Sequence, residues 1–426
     1  MSDLSELRLA FDQWQNWAKE ILTTKFNRQA LNYSFETKHV LALIGVRRSG
    51  KTFYTFDTAE NFIQSNNLNP SPFLYMNFED PYFIKFNSTD ELDNLITIYN
   101  ERFLTKPKLI ILDEIQNIDQ WQRWVRKYID LEEFKIIVTG SSAKLLSKEI
   151  SSSLTGRSVE KTIYPLSFSE YLEVKANGNE ILTPSLTNAH LRNYLQDGAF
   201  PELIKIKNEY KRIELLREYL QDIVYRDIVN RYEIRSVHNL NLLVNYYLTN
   251  ISSLHSSYSI KKALEIPTNT ASEYTQYLED AFLILNISRY HSNLKVQTRD
   301  SRKFYAIDTG LRNANSSSAT DDLGKLFENA VFLELKRRNY DVYYYKEDQE
   351  VDFVITENYK IKSLIQACYS DLKDPTTYTR ECDALESAMQ ATKLKEGLII
   401  TLNREENIKI ANGQIKMIPF YKWIKD

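Results

Sequence analysis

The chain has 426 residues, of which 43% are hydrophobic and 26% are charged, so it has an ordinary globular composition and is long enough for about two to four domains. It lacks a run of about 18 apolar residues and a charged-then-apolar leader pattern, and its two cysteines are too few for a disulfide framework or a structural zinc site. We therefore expect a cytoplasmic protein with reduced thiols and no membrane partner. The net charge of −3 gives no general attraction to nucleic acid, although it leaves room for a local basic patch.

The first 38 residues carry apolar side chains at helical spacing. Leu7, Phe11, Trp14, Trp17 and Ile21 recur every three or four residues. This spacing predicts an amphipathic helix that packs on the domain that follows.

Between residues 39 and 170, apolar runs alternate with helix-like stretches. This alternation is typical of a parallel sheet with helices packed against it, so the region is predicted to be one α/β domain. The runs assigned to buried strands are HVLALIG, PFLYMNF, LIILDE, FKIIVTGSS and SVEKTIYPL.

Beyond residue 170 the pattern changes twice. Residues 171–235 are predicted to form a helical lid with a loop at ANGNEILTPSLTN. Residues 236–312 show three helical stretches followed by two strands, which is the order of a winged-helix domain. The Ser/Asn-rich segment RNANSSSATDD then marks the start of a last α/β domain, residues 313–426.

The stretch GVRRSGKT lies between the first of these strands and a helix-like stretch. It matches the pattern G-x-x-x-x-G-K-[ST], in which glycines allow backbone N–H groups to face the phosphates of ATP. Lys51 would then contact the β- and γ-phosphates, and the Thr52 hydroxyl would ligate Mg²⁺. The residues assigned to nucleotide binding are Gly45, Val46, Arg47, Arg48, Ser49, Gly50, Lys51, Thr52 and Phe53.

The strand LIILDE supplies the second half of this site. Asp113 and Glu114 come at the carboxyl end of the strand, where open α/β sheets bind their ligands. Asp113 is assigned to the magnesium ion and Glu114 to orienting and activating the attacking water. This Asp-Glu pair favours hydrolysis over passive binding.

Two further assignments in this domain have an alternative. Ser141 and Ser142 follow the next strand and are placed either to sense the γ-phosphate or to cap the helix that begins with AKLLSKEI. Arg157 precedes the strand SVEKT, and in oligomeric ATPases an arginine at this place reaches the γ-phosphate of the neighbouring subunit. The alternative for Arg157 is an ordinary surface side chain.

Taken in order, GVRRSGKT, MNFEDP, LDEIQNIDQWQRWVR, VTGSSAKLL, LTGRSVEKTIYPLSFSEYL and DGAFPELI resemble the prokaryotic AAA-type ATPases that carry a C-terminal domain of unknown function with a nuclease-like fold. The likeness runs from about residue 28 to residue 403. It implies a P-loop fold with a catalytic glutamate, and it implies that the turn containing Pro201 lies near the adenine. Arg28, just before the first strand, is close enough in sequence to approach the nucleotide.

The winged-helix segment is assigned to DNA by its cations. Its third helix begins with Thr268, Asn269 and Thr270 and lacks the arginine and lysine that make most phosphate and guanine contacts. The hairpin is different, because four cations cluster there and favour binding to the DNA backbone with little sequence preference. The alternative is a rigid spacer or a protein-docking surface. The assigned cations are Lys295, Arg299, Arg302 and Lys303.

The last domain carries an incomplete set of nuclease residues. Restriction-endonuclease-like sites use a helix-borne acid, an aspartate at a strand end and Glu-x-Lys on the next strand. The chain offers Glu328, Asp352 and Gln366, but Cys368 stands where the lysine is expected. Lys336 and Lys362 are near enough in sequence to replace it, yet a degenerate domain that only binds DNA or a partner is the expected reading.

The sequence therefore predicts an α/β fold with a P-loop sheet, a helical lid, a winged helix and a restriction-endonuclease-like domain. The expected function is that of a Mg²⁺-dependent, ATP-hydrolysing homo-oligomer that acts on DNA in repair, recombination or defence. The alternative is a nucleotide-dependent switch that oligomerises and docks protein partners without DNA. A third reading, an ATP-regulated nuclease, requires the damaged site to work.

Overall fold

The computed structural model divides the chain into two units, residues 1–163 and 164–426. It describes residues 4–24, 28, 35, 38–68, 73–141, 154–176, 183–291, 293, 297, 301–316, 322–358 and 360–425. Within this part of the chain, no helix combines the length and the apolar character needed to cross a lipid bilayer.

The first unit is built on a five-stranded sheet with the strand order β2-β3-β4-β1-β5, in which every pairing is parallel. Strands β1 to β4 are apolar runs buried along almost their whole length, as expected for a parallel sheet covered on both faces. The edge strand β5 is half-exposed, so SVEKT is a strand but not the buried one that its position suggested. The strands are β1 Val40–Ile44, β2 Phe73–Asn77, β3 Leu109–Asp113, β4 Lys135–Gly140 and β5 Ser158–Thr162.

In the described part of the first unit, five α-helices accompany this sheet. The first confirms the predicted amphipathic helix, since Leu7 and Phe11 are fully buried. Trp14 and Trp17 of the same helix pack with Tyr75 of β2. The helices are α1 Leu4–Thr24, α2 Lys51–Ser65, α3 Tyr82–Lys85, α4 Thr89–Phe103 and α5 Trp121–Leu131.

The second unit begins with helices and a three-stranded antiparallel sheet. The segment predicted as a loop at ANGNEILTPSLTN contains the start of a helix, because Thr183 caps it and Pro184 occupies its first turn. After two more helices and a π-helical turn, the order is helix, strand, helix, helix, strand, strand, with the sheet order β6-β8-β7. The elements are α6 Phe168–Ala176, α7 Pro184–Asp197, α8 Glu209–Asp222, α9 Asn230–Tyr232, α10 Val237–Thr249, β6 Ser253–His255, α11 Ser257–Leu264, α12 Thr268–Asp280, β7 Ile284–Ile287, β8 Arg302–Ala306 and α13 Thr309–Asn315.

The carboxyl-terminal part of this unit is a six-stranded mixed sheet with the order β13-β14-β12-β11-β10-β9. Val351, Val354 and Leu364 of its central strands and Leu385 of helix α15 form one apolar cluster. The elements are α14 Leu323–Arg337, β9 Asp341–Lys346, β10 Glu350–Glu357, β11 Lys360–Ala367, α15 Pro375–Thr392, β12 Glu396–Thr401, β13 Glu406–Ile410, β14 Gly413–Pro419 and α16 Phe420–Trp423.

The turn that begins at Gly198 is held by the start of helix α13. Asp308 accepts hydrogen bonds from the backbone N–H groups of Ala199 (2.7 Å) and Leu311 (3.1 Å), so one carboxylate joins the turn to the helix. Gly198 has φ 79° and ψ −170°, a backbone conformation essentially restricted to glycine. A Cβ placed there would lie 2.2 Å from the Asp308 carboxylate and 2.8 Å from the backbone of Gly310.

We expect Gly198→Ala to lower the free energy of unfolding of the second unit by about 2–4 kcal/mol, since it adds both backbone strain and a steric clash. The matched control is Gly324→Ala in helix α14, where an added Cβ meets no atom within 4 Å. That change should have an effect of at most about 1 kcal/mol, in the stabilising direction. Urea unfolding followed by circular dichroism measures both, and equal stabilities of the two variants would contradict the assignment.

Candidate active site

The loop between β1 and α2 has the backbone that the phosphate-binding pattern requires. Gly45 has φ 149°, and a Cβ there would lie 2.2 Å from the carbonyl oxygen of Ile163. Gly50 has φ 90° and precedes helix α2 without a side-chain cap. The amino-terminal end of α2 points its helix dipole at the loop, which favours an anionic ligand, as at other helix N-termini that bind phosphate.

Lys51 places its ammonium group between this loop and the end of β3. The side chain is buried, and its Nζ donates hydrogen bonds to the carbonyl oxygens of Gly45 (3.1 Å) and Val46 (3.2 Å). The same nitrogen lies 3.7 Å from Oε1 of Glu114. The predicted phosphate-binding lysine and the predicted catalytic glutamate thus meet at one edge of the sheet.

Asp113 is a buried carboxylate that accepts three side-chain hydroxyl hydrogen bonds. Thr52 donates at 2.9 Å, Tyr75 donates at 2.7 Å and Thr139 also donates to it. Burial and the neighbouring charge of Glu114 raise the pKa of Asp113, while the three hydroxyl groups act in the opposite direction. A carboxylate and a threonine hydroxyl side by side are hard oxygen donors of the kind that Mg²⁺ prefers, so these residues fit that ion.

Glu114 stands at the turn after β3 in the left-handed backbone region, with φ 54°. Its N–H donates to the Thr139 hydroxyl (3.0 Å), and Gln116 donates to its Oε2 (2.6 Å). Uncommon backbone conformations of non-glycine residues cluster at functional sites, where the surrounding contacts hold them in place. The carboxylate of Glu114 is therefore held in one position beside Lys51.

Thr139 is a site residue that the sequence analysis missed. It lies on β4, next to β3, and its hydroxyl group links the side chain of Asp113 to the backbone of Glu114. The available signal was a hydroxyl-bearing residue inside the apolar run KIIVTG. Ser141, which we had assigned instead, lies just beyond the end of β4 and is fully buried, and Ser142 lies outside the described residues.

Three arginines assigned to the nucleotide lie in or against the loop. Arg47 forms an ion pair with Glu79 (2.5 Å), and Arg48 has φ 65°. Arg28 is buried, and its guanidinium donates to the carbonyl oxygen of Ser49. Arg28 thus contacts the loop itself, and its approach to the nucleotide stays a prediction.

A cleft of about 530 Å³ opens beside Thr52 and Phe53. Trp14 and Trp17 of helix α1 and Tyr75 of β2 also line it. Helix α1 therefore forms one side of the space next to the assigned magnesium ligands.

Arg157 lies at the amino-terminal end of strand β1, whereas the loop follows the carboxyl-terminal end of that strand. Its carbonyl oxygen accepts a hydrogen bond from the N–H of Val40, the first residue of β1, and its guanidinium pairs with Asp130 (2.9 Å). Strand β1 spans about 16 Å between Val40 and the loop, which is longer than an arginine side chain. Arg157 therefore does not reach the site of its own chain.

Pro201 lies in the second unit, in the 3-10 turn Pro201–Leu203 that follows Gly198. Ala199, two residues before Pro201, donates its N–H to Asp308, so the chain that leads into this turn is held within that unit. Its proposed proximity to adenine stays a prediction.

The structure corrects one of the DNA assignments. Lys303 is only 3% exposed and faces acidic side chains, so it is not part of an exposed basic surface. Arg302 is half-exposed and lies 3.9 Å from Glu279. Lys295 and Arg299 lie outside the described residues.

The acids assigned to a nuclease-like site do come together. Asp352 accepts a hydrogen bond from Lys303 (3.0 Å), and the side-chain oxygen of Gln366 accepts one from the N–H of Asp352 (3.1 Å). Gln366 in turn donates to Glu381 (2.5 Å), an acid on helix α15 that the sequence analysis missed. An open cleft of about 1110 Å³ is lined by Glu328, Asp352, Gln366 and Glu381, among others.

Neither lysine proposed as a replacement for the missing one joins this group. Lys362 is exposed and pairs with Glu357. Lys336 lies beside Asp341 instead, and burial lowers its pKa. The lysine that the structure brings to the acids is Lys303, which the sequence analysis had assigned to DNA. The two cysteines, Cys368 and Cys382, are free thiols.

Comparison with known proteins agrees with the P-loop geometry. Residues 37–172 match the family model of an AAA domain, and residues 188–322 and 323–423 match two domains of unknown function, DUF8612 and DUF4143. A solved structure of C. elegans PCH-2 is 15% identical, covers 65% of this chain and 66% of that chain, and has a TM-score of 0.26, a likeness too slight to bear on function.

Two relatives match along most of their length. An uncharacterized protein of Methanocaldococcus jannaschii is 36% identical over 90% of this chain and 88% of its own. An uncharacterized protein of Haemophilus influenzae is 30% identical over 79% of this chain and 84% of its own. The chain therefore belongs to the same family as these uncharacterized archaeal and bacterial proteins, and its amino-terminal part is an AAA-type P-loop domain.

Proposed function

We propose that this protein is a Mg²⁺-dependent ATPase that acts on DNA. The observation that supports hydrolysis is the meeting of Lys51, Thr52, Asp113 and Glu114 at one edge of the sheet. A magnesium ion held there would neutralise charge on the phosphates. Lys51 would contact the β- and γ-phosphates, and Glu114 would orient the attacking water.

Thr139→Val should lower the rate of ATP hydrolysis by about 10- to 100-fold, the usual cost of removing a group that orients a metal ligand. The hydroxyl of Thr139 holds both the Asp113 carboxylate and the backbone of Glu114, whereas valine keeps the shape and removes both hydrogen bonds. Thr139→Ser is the control and should stay close to the wild-type rate. Steady-state phosphate release measures this, and a valine variant as fast as wild type would remove Thr139 from the site.

Action on DNA is supported by the topology of residues 237–306. The order helix, strand, helix, helix, strand, strand, with a three-stranded antiparallel sheet, supports the proposal that this module is a winged-helix domain. Lys261, Lys262 and Arg302 give this module exposed cations. Cations of this kind suit the sequence-independent contacts that dominate affinity for DNA.

The alternative is a nucleotide-dependent switch that docks a protein partner. The observation that favours it is the burial of Lys303, which removes one of the four cations assigned to DNA. Helix α12 also begins with Thr268, Asn269 and Thr270, without a cation among them. In this reading, ATP changes the assembly state and DNA changes nothing.

Steady-state ATP hydrolysis, measured with and without DNA, distinguishes the two functions. Single-stranded, duplex and four-way-junction DNA are each added at low salt, because backbone contacts weaken steeply with ionic strength. We expect DNA to raise the rate, and we expect Lys261→Ala combined with Lys262→Ala and Arg302→Ala to reduce that stimulation. A rate that no DNA changes, together with ATP-dependent assembly in light scattering, would establish the switch.

Two variants show whether the measured rate belongs to this site. Glu114→Gln should reduce hydrolysis by at least about 100-fold while ATP still binds, since it removes only the group that activates water. Lys51→Ala should weaken ATP binding as well, because it removes a contact to the phosphates. Binding is followed with a fluorescent ATP analogue, and hydrolysis that survives both changes would contradict the proposed site.

Hydrolysis is further proposed to require a second copy of the chain, with Arg157 completing the neighbouring site. We expect Arg157→Ala to bind ATP and to hydrolyse it poorly. The decisive measurement mixes two poorly active variants, Arg157→Ala and Glu114→Gln. A mixed assembly contains sites with an intact Glu114 from one chain and an intact Arg157 from the next, so activity should recover on mixing. If mixing restores nothing, Arg157 does not act between chains.

A further inference from the structure

Three carboxylates of the second unit surround one ammonium group. Nζ of Lys303 lies 2.8 Å from Oε1 of Glu328, 3.0 Å from Oε1 of Glu350 and 3.0 Å from Oδ1 of Asp352. Lys303 comes from strand β8, Glu328 from helix α14, and the other two acids from strand β10. The cluster therefore joins two sheets and a helix through a single cation.

The hydrogen-bonding capacity of this ammonium is filled. A lysine has three N–H donors, and each has a carboxylate oxygen within hydrogen-bond distance. The side chain of Lys303 is 4% exposed, so water contributes little. The three carboxylates favour the charged form and raise the pKa of Lys303 well above its ordinary value, although burial alone would lower it.

The carboxylates have further partners of their own. Tyr305 donates to Oε1 of Glu328 (2.9 Å), and Lys346 lies 3.2 Å from Oε2 of Glu350. The backbone N–H of Ala367 donates to Oδ2 of Asp352 (3.0 Å). The acids are thus held in an arrangement that already contains its cation.

A divalent metal ion does not fit this arrangement. Mg²⁺ requires several oxygen ligands at about 2.0–2.1 Å in near-octahedral geometry, and at the centre of these carboxylates it would contact the Lys303 ammonium. The next acid along the cleft, Glu381, is engaged by Arg380 (2.5 Å) and Gln366 (2.5 Å). Across the described ranges, no group of three or more His, Cys, Asp or Glu side chains is placed to hold a metal ion.

We infer that the Lys303 ammonium is the resident cation of this acidic cluster, in place of a divalent metal ion, and that it holds strand β8 against helix α14 and strand β10. The consequence is a site that needs no metal and cleaves no phosphodiester. It uses its acids to fix the three-stranded sheet to the six-stranded one. Strand β8 pairs with both β6 and β7, so holding β8 holds all three strands.

Further contacts near this cluster join the segment between strands β7 and β8 to the six-stranded sheet. The hydroxyl of Tyr344 donates to the carbonyl oxygen of Ser301 (2.6 Å), and the N–H of Tyr290 donates to the carbonyl oxygen of Tyr344 (2.7 Å). Arg289 pairs with Glu347 (3.3 Å) in the same region. The Lys303 cluster is the buried, charged part of this set of contacts between the two sheets.

The first test is Mn²⁺ binding to the nucleotide-free full chain, measured by electron paramagnetic resonance with MnCl₂ as the probe. Binding that disappears in Asp352→Asn is assigned to this cluster, which separates it from any ion held near Asp113. We expect the wild type to show no such binding. We expect Lys303→Met to gain it, because removal of the ammonium frees three carboxylates that Mn²⁺ then bridges.

The second test is thermal unfolding. Lys303→Met leaves buried carboxylates without their counter-ion and should lower the unfolding temperature by about 10 °C. Addition of MnCl₂ should restore part of that loss, but not when Asp352→Asn is also present. The control is Lys362→Met, which removes an exposed ion pair with Glu357 on the same sheet and should change little.

Two results would overturn the inference. Mn²⁺ binding by the wild type that Asp352→Asn abolishes would show that the cluster is a metal site. A Lys303→Met variant that unfolds at the wild-type temperature and gains no Mn²⁺ would show that the ammonium does not hold the acids. Should that variant fail to fold, the comparison of wild type with Asp352→Asn still decides, since it does not require Lys303 to be changed.

Discussion

The first unit depends on the burial of one carboxylate, that of Asp113. A buried charge is stable only when hydrogen-bond donors replace water, and here the donors come from three different elements. Thr52 lies on helix α2, Tyr75 on strand β2 and Thr139 on strand β4. The hydrogen bonds to Asp113 therefore fix helix α2 relative to β2 and β4, the two strands that flank β3. They also place Glu114, the residue after Asp113, beside Lys51.

The second unit also contains a buried charge that neighbouring groups must satisfy, but there the charge is positive. Lys303 is a buried cation, and the three acids that satisfy it come from helix α14 and strand β10. The two sites differ in what the satisfied group can still do. Asp113 shares its oxygens with hydroxyl groups, which can give way to or join a magnesium ion, whereas the place between the acids around Lys303 is already taken by a covalently attached cation. This difference supports catalysis at the first site and a holding role at the second.

The sequence predicts a site residue well when the signal for it lies in neighbouring residues, and poorly when the signal lies far along the chain. The glycines and Lys51 of the loop, and the Asp113–Glu114 pair, stand next to strands that apolar runs mark clearly, so local sequence was enough to assign them to one candidate site. Thr139 was missed because nothing in a strand tells which hydroxyl faces the neighbouring carboxylate. Lys303 was assigned to DNA because a cation in a hairpin is usually exposed, and the acids that bury it lie between 25 and 49 residues away. Such pairings depend on the tertiary fold, which local patterns do not encode.

The position of Arg157 matters for the proposal that assembly depends on nucleotide. It stands at the amino end of the sheet and the phosphate-binding loop stands at the carboxyl end, so the proposed contact with the γ-phosphate belongs to another copy of the chain. If ATP strengthens that contact, the contact must strengthen ATP binding by the same factor, since coupling between two binding events is reciprocal. A motor on DNA and a protein-docking switch would therefore share this first step. They would differ in whether DNA, held by the module of residues 237–306, favours the assembled, hydrolysing state.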